Sequence, residues 1–274
     1  MRGDQDQVAR WYHRSDRLLN AVFMAVRGCF EGIWLGVLSH EQAARIDVVY
    51  YDRNAMYVTE SYNRRGLWPW EQAAIDAHFG GVRRIIVTSA GGGREVLALD
   101  KAGYQVVGFE PHQDLARFGN RLITADGLSA EIRLSERDRW PTDSGDTDGV
   151  IVGWGGYMLI PGRDRRVAFL RQAAKRLPAQ APLLVSFYPR EADENVRFRI
   201  VTRITNLLRR LLRRDPVAFG DALAPSLVHF FTRAEVASEM SEAGFELVDF
   251  GTEGYGWAVG RCAAGRSIQR GERT

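Results

Sequence analysis

Apolar and polar positions along this chain follow two different periods, and the change falls near Val82. Over residues 15–80 the apolar positions recur at helical spacing. Ser39-His40-Glu41-Gln42 has the S-x-x-Q form of a capping box and predicts a helix through Ala43, Ala44 and Ile46. The run Trp70 to Ile75 predicts another, stopping at Gly80-Gly81. From Val82 onward, short β-branched runs alternate with helical stretches. Strands are predicted over residues 84–88, 104–109, 130–134, 149–152 and 182–187, with helices over 94–102 and 163–177. Strands this short and apolar, separated by helices, imply a parallel sheet covered on both faces. Residues 191–215 interrupt the alternation with a basic helix, in which Val196, Ile200, Ile204, Leu207, Leu208 and Leu211 keep helical spacing and arginines fill most of the rest. Thr232-Arg233-Ala234-Glu235 is a second capping box, opening a helix that ends at Gly244. Residues 245–250 and 256–260 then predict a closing hairpin.

Composition narrows the class. The chain has 274 residues, of which 45% are hydrophobic and 26% charged. That is enough apolar material for a sizeable core. Thirty-seven basic residues stand against 34 acidic ones, a balance too even for a nucleic-acid footprint. All the basic residues except Lys101 and Lys175 are arginine, which reads as a coding bias. Cys29 and Cys262, far apart, read as reduced structural thiols, so neither a disulfide framework nor a metal site is expected. The opening MRGDQDQVARWYHRSDR is too polar and acidic for a secretory signal. The apolar run from Leu18 to Leu38 contains Arg27, Glu31, Gly28, Gly32 and Gly36, and reads as a buried helix, not a membrane span. A cytoplasmic protein is the expectation.

The candidate chemistry sits where the first strand of the alternating region ends. Ser89-Ala90-Gly91-Gly92-Gly93 follows that strand and opens a helix, an arrangement that brings backbone N–H groups and a helix N-terminus close to a ligand. Glycine matters there because a Cβ would block the approach. Glu110 stands at the end of the second strand, where a carboxylate can accept both hydroxyl protons of a ribose. Together these point to a nucleoside-containing cofactor, although a glycine turn needed only for packing is the plainer alternative. Val96 occupies a position that the dinucleotide fingerprint reserves for glycine or alanine. No lysine completes a P-loop.

Over residues 70–262 the chain resembles the class I S-adenosylmethionine-dependent methyltransferases. IIVTSAGGGREVLAL looks like their first motif, VVGFEP like the acidic end of their second strand, and SERDRWP like the acidic position after the third. FFTRAEVASEMSEAGFELVDFG is similar to a stretch common near their C-terminus. The resemblance implies an α/β fold, a doubly wound and mostly parallel seven-stranded Rossmann-like sheet. An N-terminal helical cap over 1–80 precedes a core over 81–265, with a helical insertion after strand five at about 190–226. It implies S-adenosyl-L-methionine as cofactor, held by Ser89, Ala90, Gly91, Gly93, Glu110, Pro111, Asp138, Arg139, Gly153 and Trp154. Val87 and Ser89 depart from the family pattern, which has an acid and a glycine there. A compensating carboxylate for the methionine amino group is therefore expected, from Glu95 or from the N-terminal helices.

The acceptor is less legible. Gly153-Trp154-Gly155-Gly156-Tyr157 replaces the Asn/Asp-Pro-Pro-Tyr signature of amino-group methylases, which argues against adenine- or glutamine-type transfer. Metal-free transfer to a small-molecule or peptide-like acceptor remains, with a role in secondary metabolism as one reading. His229, Tyr188 and His13 are candidate bases, His112 flanks the cofactor, and Tyr157 and Tyr188 are expected to line the acceptor site at strand ends. The basic helix reads as a solvated lid or homodimer face, or as a recruiter of an anionic acceptor. Two other functions stay open: a non-catalytic partner subunit on the same fold, and a nicotinamide-dependent reductase.

Overall fold

A computed structural model of the chain describes residues 2–190 and 196–263, with the side chains of residues 2–6 and 40 not among those described. The chain opens with four helices, α1 (Arg2–Val37), α2 (His40–Arg53), α3 (Glu60–Asn63) and α4 (Pro69–His78). Then come β1 (Arg84–Thr88), α5 (Arg94–Lys101), β2 (Gln105–Glu110), α6 (Gln113–Ala125), β3 (Glu131–Leu134), β4 (Gly149–Val152), α7 (Gly156–Leu159), α8 (Arg163–Ala174) and β5 (Pro182–Pro189). The remainder is α9 (Val196–Leu211), β6 (Asp221–Leu223), β7 (Leu227–Phe231), α10 (Arg233–Ala243), β8 (Phe245–Gly251) and β9 (Gly256–Cys262). These fall into two units, Met1–Arg45 with Glu191–Leu227, and Ile46–Arg190 with Val228–Thr274.

The larger unit carries the expected doubly wound sheet. β1 pairs in parallel with β2 and β4, β2 with β3, and β4 with β5, giving the order β3-β2-β1-β4-β5. β9 continues it antiparallel to β5, and β8 pairs antiparallel with β9 as the closing hairpin. β1 and β4 are buried along almost their whole length, as central parallel strands flanked by helices must be. Ile85, Val87, Ile151 and Leu184 from the strands meet Ala74, Ile75 and Phe79 of the α4 region, and Val96 and Leu99 of α5, in one core. The order reverses between β1 and β4, so their carboxyl ends open the crevice in which folds of this topology place ligands. Residues 46–80, read from sequence as part of a separate cap, belong to this unit.

β7 was not legible in the sequence. Its Phe230 and Phe231 pair in parallel with Tyr188 and Pro189, at the tip of β5 beyond the reach of β9. β5 is thus shared along one edge, and only that tertiary vacancy makes a strand of LVHFF. Both capping boxes formed: Ser39 and Gln42 bond each other's backbone N–H groups, and so do Thr232 and Glu235.

The smaller unit holds α1, α9 and β6. α1 and α9 run parallel, with Gly28 against Ile200, Gly32 against Ile204 and Gly36 against Leu208. A Cβ at Gly36 would stand 2.7 Å from Leu208, so the small residues let the helices approach closely. Glu31 is fully buried between them, paired with Arg27 and with Arg197 at 2.9 Å. Arg209 and Arg214 donate to the carbonyls of Leu35 and Val37 at the C-terminal end of α1, where orphan acceptors and the helix dipole favour cations. Part of the arginine-rich face therefore serves the helix pair itself. The expectation of a buried helix over Leu18–Leu38 is corrected, because one narrow glycine face is all that α1 buries. Only 22% of its most apolar window is buried, and Leu18, Leu19, Val22, Phe23, Val26, Phe30, Ile33 and Trp34 are exposed. By length and composition alone, Gln7–Val37 could cross a bilayer.

Candidate active site

The glycine loop leaves β1 on a left-handed residue that is not glycine. Ser89 has φ +51, and its side chain fills the space beside Gly156, where a Cβ would lie 2.5 Å from the Ser89 Cβ. Gly153 is equally required, since its Cβ would meet the Ser89 carbonyl oxygen at 2.3 Å. The three glycines that follow have separate duties. Gly91 (φ +55) would direct a Cβ into open space, which is the cradle a ligand needs. Gly92 is pressed against the Tyr57 carbonyl and the Asn63 amide, and Gly93 against Ile132 and the Gly119 backbone. Of the three, Gly91 alone points an added Cβ into unfilled space. Gly93, expected beside it, is the point where α6 crosses the loop.

Glu110 lies at the end of β2 facing that cradle. Its carboxylate accepts the Gly91 N–H at 2.7 Å and the His112 N–H at 2.8 Å, and it is almost fully buried. Burial pushes its carboxyl up to about 7, against the pull of those two N–H groups. Pro111 follows exposed, and the His112 ring meets Asp52 at 3.0 Å. After β3, Asp138 (φ +58) stands half-buried beside Arg137, whose guanidinium is held by the buried Asp47 at 2.5 Å. Arg139 is exposed and paired with Glu136, so its backbone is what remains available for a ligand.

Glu95, at the start of α5, ties the helix that follows the glycine loop to the loop after β4. It accepts the Trp154 N–H at 2.9 Å and Arg94 at 2.7 Å. Arg94 also forks onto Glu71 with bonds of 2.6 and 2.7 Å, the bidentate geometry that suits a guanidinium and a carboxylate. Two buried carboxylates share one guanidinium, and burial raises Glu71 from its ordinary value. Ser186 on β5 accepts the Gly155 N–H at 2.9 Å. Glu71 and Ser186 carried no sequence signal, since they act by contact with residues far away in the chain.

Aromatic side chains wall this end of the sheet. Trp154 lies 5.1 Å from Tyr255 and 6.1 Å from Trp68, ring centre to ring centre, and Tyr255 lies 5.4 Å from Tyr188. Tyr51 meets Tyr57 at 5.1 Å, and Tyr57 meets Tyr62 at 5.6 Å. Burial, then the neighbouring phenols, raises Tyr57 and Tyr255; burial, then Glu95, pushes Tyr62 up to about 12; burial, then Tyr50, raises Tyr188. These phenols stay protonated near neutral pH. Tyr188, expected as a base lining the acceptor, stands among these rings at the end of β5 with its phenol raised, which favours a neutral hydroxyl.

Two expected residues are elsewhere. Tyr157 is fully buried, bonded to Glu239 beside Arg166 and stacked on Phe231. It packs the core between α8 and α10, so it does not line the acceptor site. His229 is buried with its ring 4.5 Å from Phe231 and its Nε2 3.8 Å from Glu235. Along β7 side chains alternate faces, so His229 and Phe231 face away from Phe230, which stacks on Tyr188. Burial works to raise Glu235, but bonds from His229 and Thr232, with Arg190, hold it at about 2. His229 therefore supports the start of α10. His13 lies on α1 with its ring against Tyr12.

The fit to a nucleoside cofactor is testable on these atoms. Besides the open cradle at Gly91, the buried polar atoms Thr88 Oγ1, Asn63 Oδ1, Trp68 Nε1 and His112 Nδ1 have no protein partner. Among the described residues no cluster of His, Cys, Asp and Glu could hold a metal ion.

No protein-family model and no curated protein sequence matches the chain. Solved structures do. A protein described as an S-adenosylmethionine-dependent methyltransferase from Methanosarcina mazei superposes with a TM-score of 0.57 at 17% identity, covering 73% of this chain and 99% of that one. An amino pentose methyltransferase from Micromonospora echinaspora, solved with S-adenosylmethionine bound, gives 0.51 at 14%, covering 73% and 93%. A sugar N-methyltransferase from a Streptoalloteichus species gives 0.52 at 13%, covering 78% and 91%. This chain has the class I methyltransferase fold.

Proposed function

We propose that the larger unit binds S-adenosylmethionine and transfers its methyl group to a small acceptor received by the tyrosine and tryptophan wall. The observation that carries the reading is the pairing of an open, left-handed Gly91 with the Glu110 carboxylate across the ends of β1 and β2. Gly91 would let the cofactor touch backbone, and Glu110 would take the ribose hydroxyls. Asp138 and the Arg139 backbone would flank the adenine. Glu95, fixed by Trp154 and Arg94, supplies the carboxylate that Val87 does not, and would face the methionine amino group. When bound, the cofactor supplies an electrophilic methyl group on a sulfonium.

The chain's own residues then align the acceptor. An in-line displacement depends chiefly on holding both partners in register, and a rigid aromatic wall does that. Tyr57, Tyr62, Tyr188 and Tyr255 offer neutral hydroxyls and ring faces. The guanidinium of Arg94 is bound by Glu71 and Glu95. This supports an acceptor bearing hydroxyl or amine groups over an anionic one. Two of the similar structures act on sugars, but at such low identity that likeness carries the fold alone, so the acceptor reading rests on the wall.

Calorimetry with S-adenosylhomocysteine and with NADH tests the reading. Micromolar binding of the first and none of the second is expected; no binding of S-adenosylhomocysteine would remove both the cofactor and the transfer. Turnover against a panel of amino and hydroxylated sugars, read as methyl incorporation by mass spectrometry, separates an enzyme from a binding subunit.

A further inference from the structure

The exposed side of α1 has an order of its own. Tyr12, Asp16, Leu19, Phe23, Val26, Phe30, Ile33 and Val37 follow one another at strict alternating intervals of four and three residues. That is the spacing of a coiled-coil seam, with Asp16, Phe23, Phe30 and Val37 at a and the others at d. Seven of the eight are apolar, and each of the seven is 41–68% exposed. At about 100° per residue, the seam lies roughly 140° around the helix from the glycine face that α9 covers. In addition, every described side chain from Gln7 to Phe23 is exposed, so five turns of α1 have no support within the described chain. A helix of that length without packing is marginal in water.

We propose that α1 joins two copies of this chain as an antiparallel helix pair about a two-fold axis near Gly28. That register sets Leu19 against Val37, Phe23 against Ile33 and Val26 against Phe30, and then repeats the same contacts in reverse, as a two-fold interface requires. Each phenylalanine meets a smaller β-branched side chain. A parallel pair would instead oppose Phe23 to Phe23, Phe30 to Phe30, and the Asp16 carboxylate to its own copy. The antiparallel register leaves Asp16 beyond the apolar seam. It overlaps the two helices over residues 19–37, and the turns before Leu19 extend past the partner copy's Val37. With Val22 and Trp34 flanking, the exposed side chains amount to about 600–800 Å² per copy, close to the ~800 Å² per partner of a stable interface.

The test uses the full chain. Light scattering on a sizing column at micromolar concentration should return a dimer, and Phe23→Glu with Phe30→Glu should return a monomer whose near-ultraviolet circular dichroism is unchanged. In a Cys29→Ser background, Leu19→Cys combined with Val37→Cys should form a disulfide-linked dimer on mild oxidation, and Leu19→Cys alone should not. A wild-type monomer overturns the proposal, as does a double-glutamate variant that stays dimeric. Crosslinking through Leu19→Cys alone overturns the antiparallel register. A wild-type protein that is monomeric in buffer but floats with phosphatidylglycerol vesicles would assign the seam to lipid and overturn it too. None of these readouts depends on cofactor binding, so the outcome is independent of the proposed function.

Discussion

The Glu95 carboxylate accepts the backbone N–H of Trp154 at 2.9 Å, joining the first turn of α5 to the loop after β4. Removing it in Glu95→Ala takes away a charged acceptor and leaves Arg94 with Glu71 as its one carboxylate partner. A loss of about 1.5–3 kcal/mol is expected, the range for hydrogen bonds to charged groups. If the same carboxylate faces the methionine amino group, S-adenosylhomocysteine affinity falls in Glu95→Ala while adenosine affinity holds. Equal losses for both ligands in titration calorimetry would confine Glu95 to a structural role.

Gly91 and Gly92 are neighbours with opposite expected phenotypes. Gly91→Ala puts a methyl group into open space at φ +55, so ligand binding suffers most. The left-handed backbone costs a non-glycine residue only about 1–2 kcal/mol of folding stability. Gly92→Ala drives a methyl group to 2.5 Å from the Tyr57 carbonyl, so stability suffers first. Thermal melts with and without S-adenosylhomocysteine separate the two; a Gly91→Ala variant that binds normally would move the cofactor elsewhere.

Glu110 should make cofactor binding depend on pH. Its folded-state carboxyl titrates at about 7 against an ordinary 4.5, so ionising it costs the ligand-free fold stability as pH rises between those values. The cost above pH 7 is about 3 kcal/mol at ~1.4 kcal/mol per unit. The ionised form is also the one that accepts both ribose hydroxyls. Acidification from pH 8 to 6 should therefore favour the ligand-free fold through this group and weaken S-adenosylhomocysteine, approaching tenfold per unit below pH 7. A flat dissociation constant across that range in calorimetry would count against the ribose role.

Tyr188→Phe and Tyr157→Phe should part company. Tyr188→Phe alters the acceptor KM and leaves the melting temperature near its starting value. Tyr157→Phe deprives buried Glu239 of a donor. That lowers stability by about 1–3 kcal/mol with the KM unchanged. His229→Ala should behave like Tyr157→Phe, through Glu235 and the start of α10. A KM effect from either core variant would reopen its place in the site.

Local patterns were enough for the alternating core. The β-branched runs, the two capping boxes, the turn at Gly91 and the acid at Glu110 are written within a few residues of where they act, and the topology follows from strand–helix alternation. The burial of α1 could not be read that way, because Leu18–Leu38 is apolar all round, and only packing decides that Gly28, Gly32 and Gly36 face α9 while Phe23 and Phe30 stay exposed. Tyr157 and Tyr188 have the same sequence signal, a tyrosine near a strand end. Glu239, brought in by α10, claims the first, and Tyr255, from the last hairpin, stands beside the second. The chain alone determined which elements of the alternating core form and where its glycine turn falls, since propensity and turn geometry act locally. Which aromatics gather at that end of the sheet, and which buried carboxylates reach the glycine loop, was decided by contacts such as Glu95 to Trp154 and Arg94 to Glu71, between segments that only the folded sheet brings together.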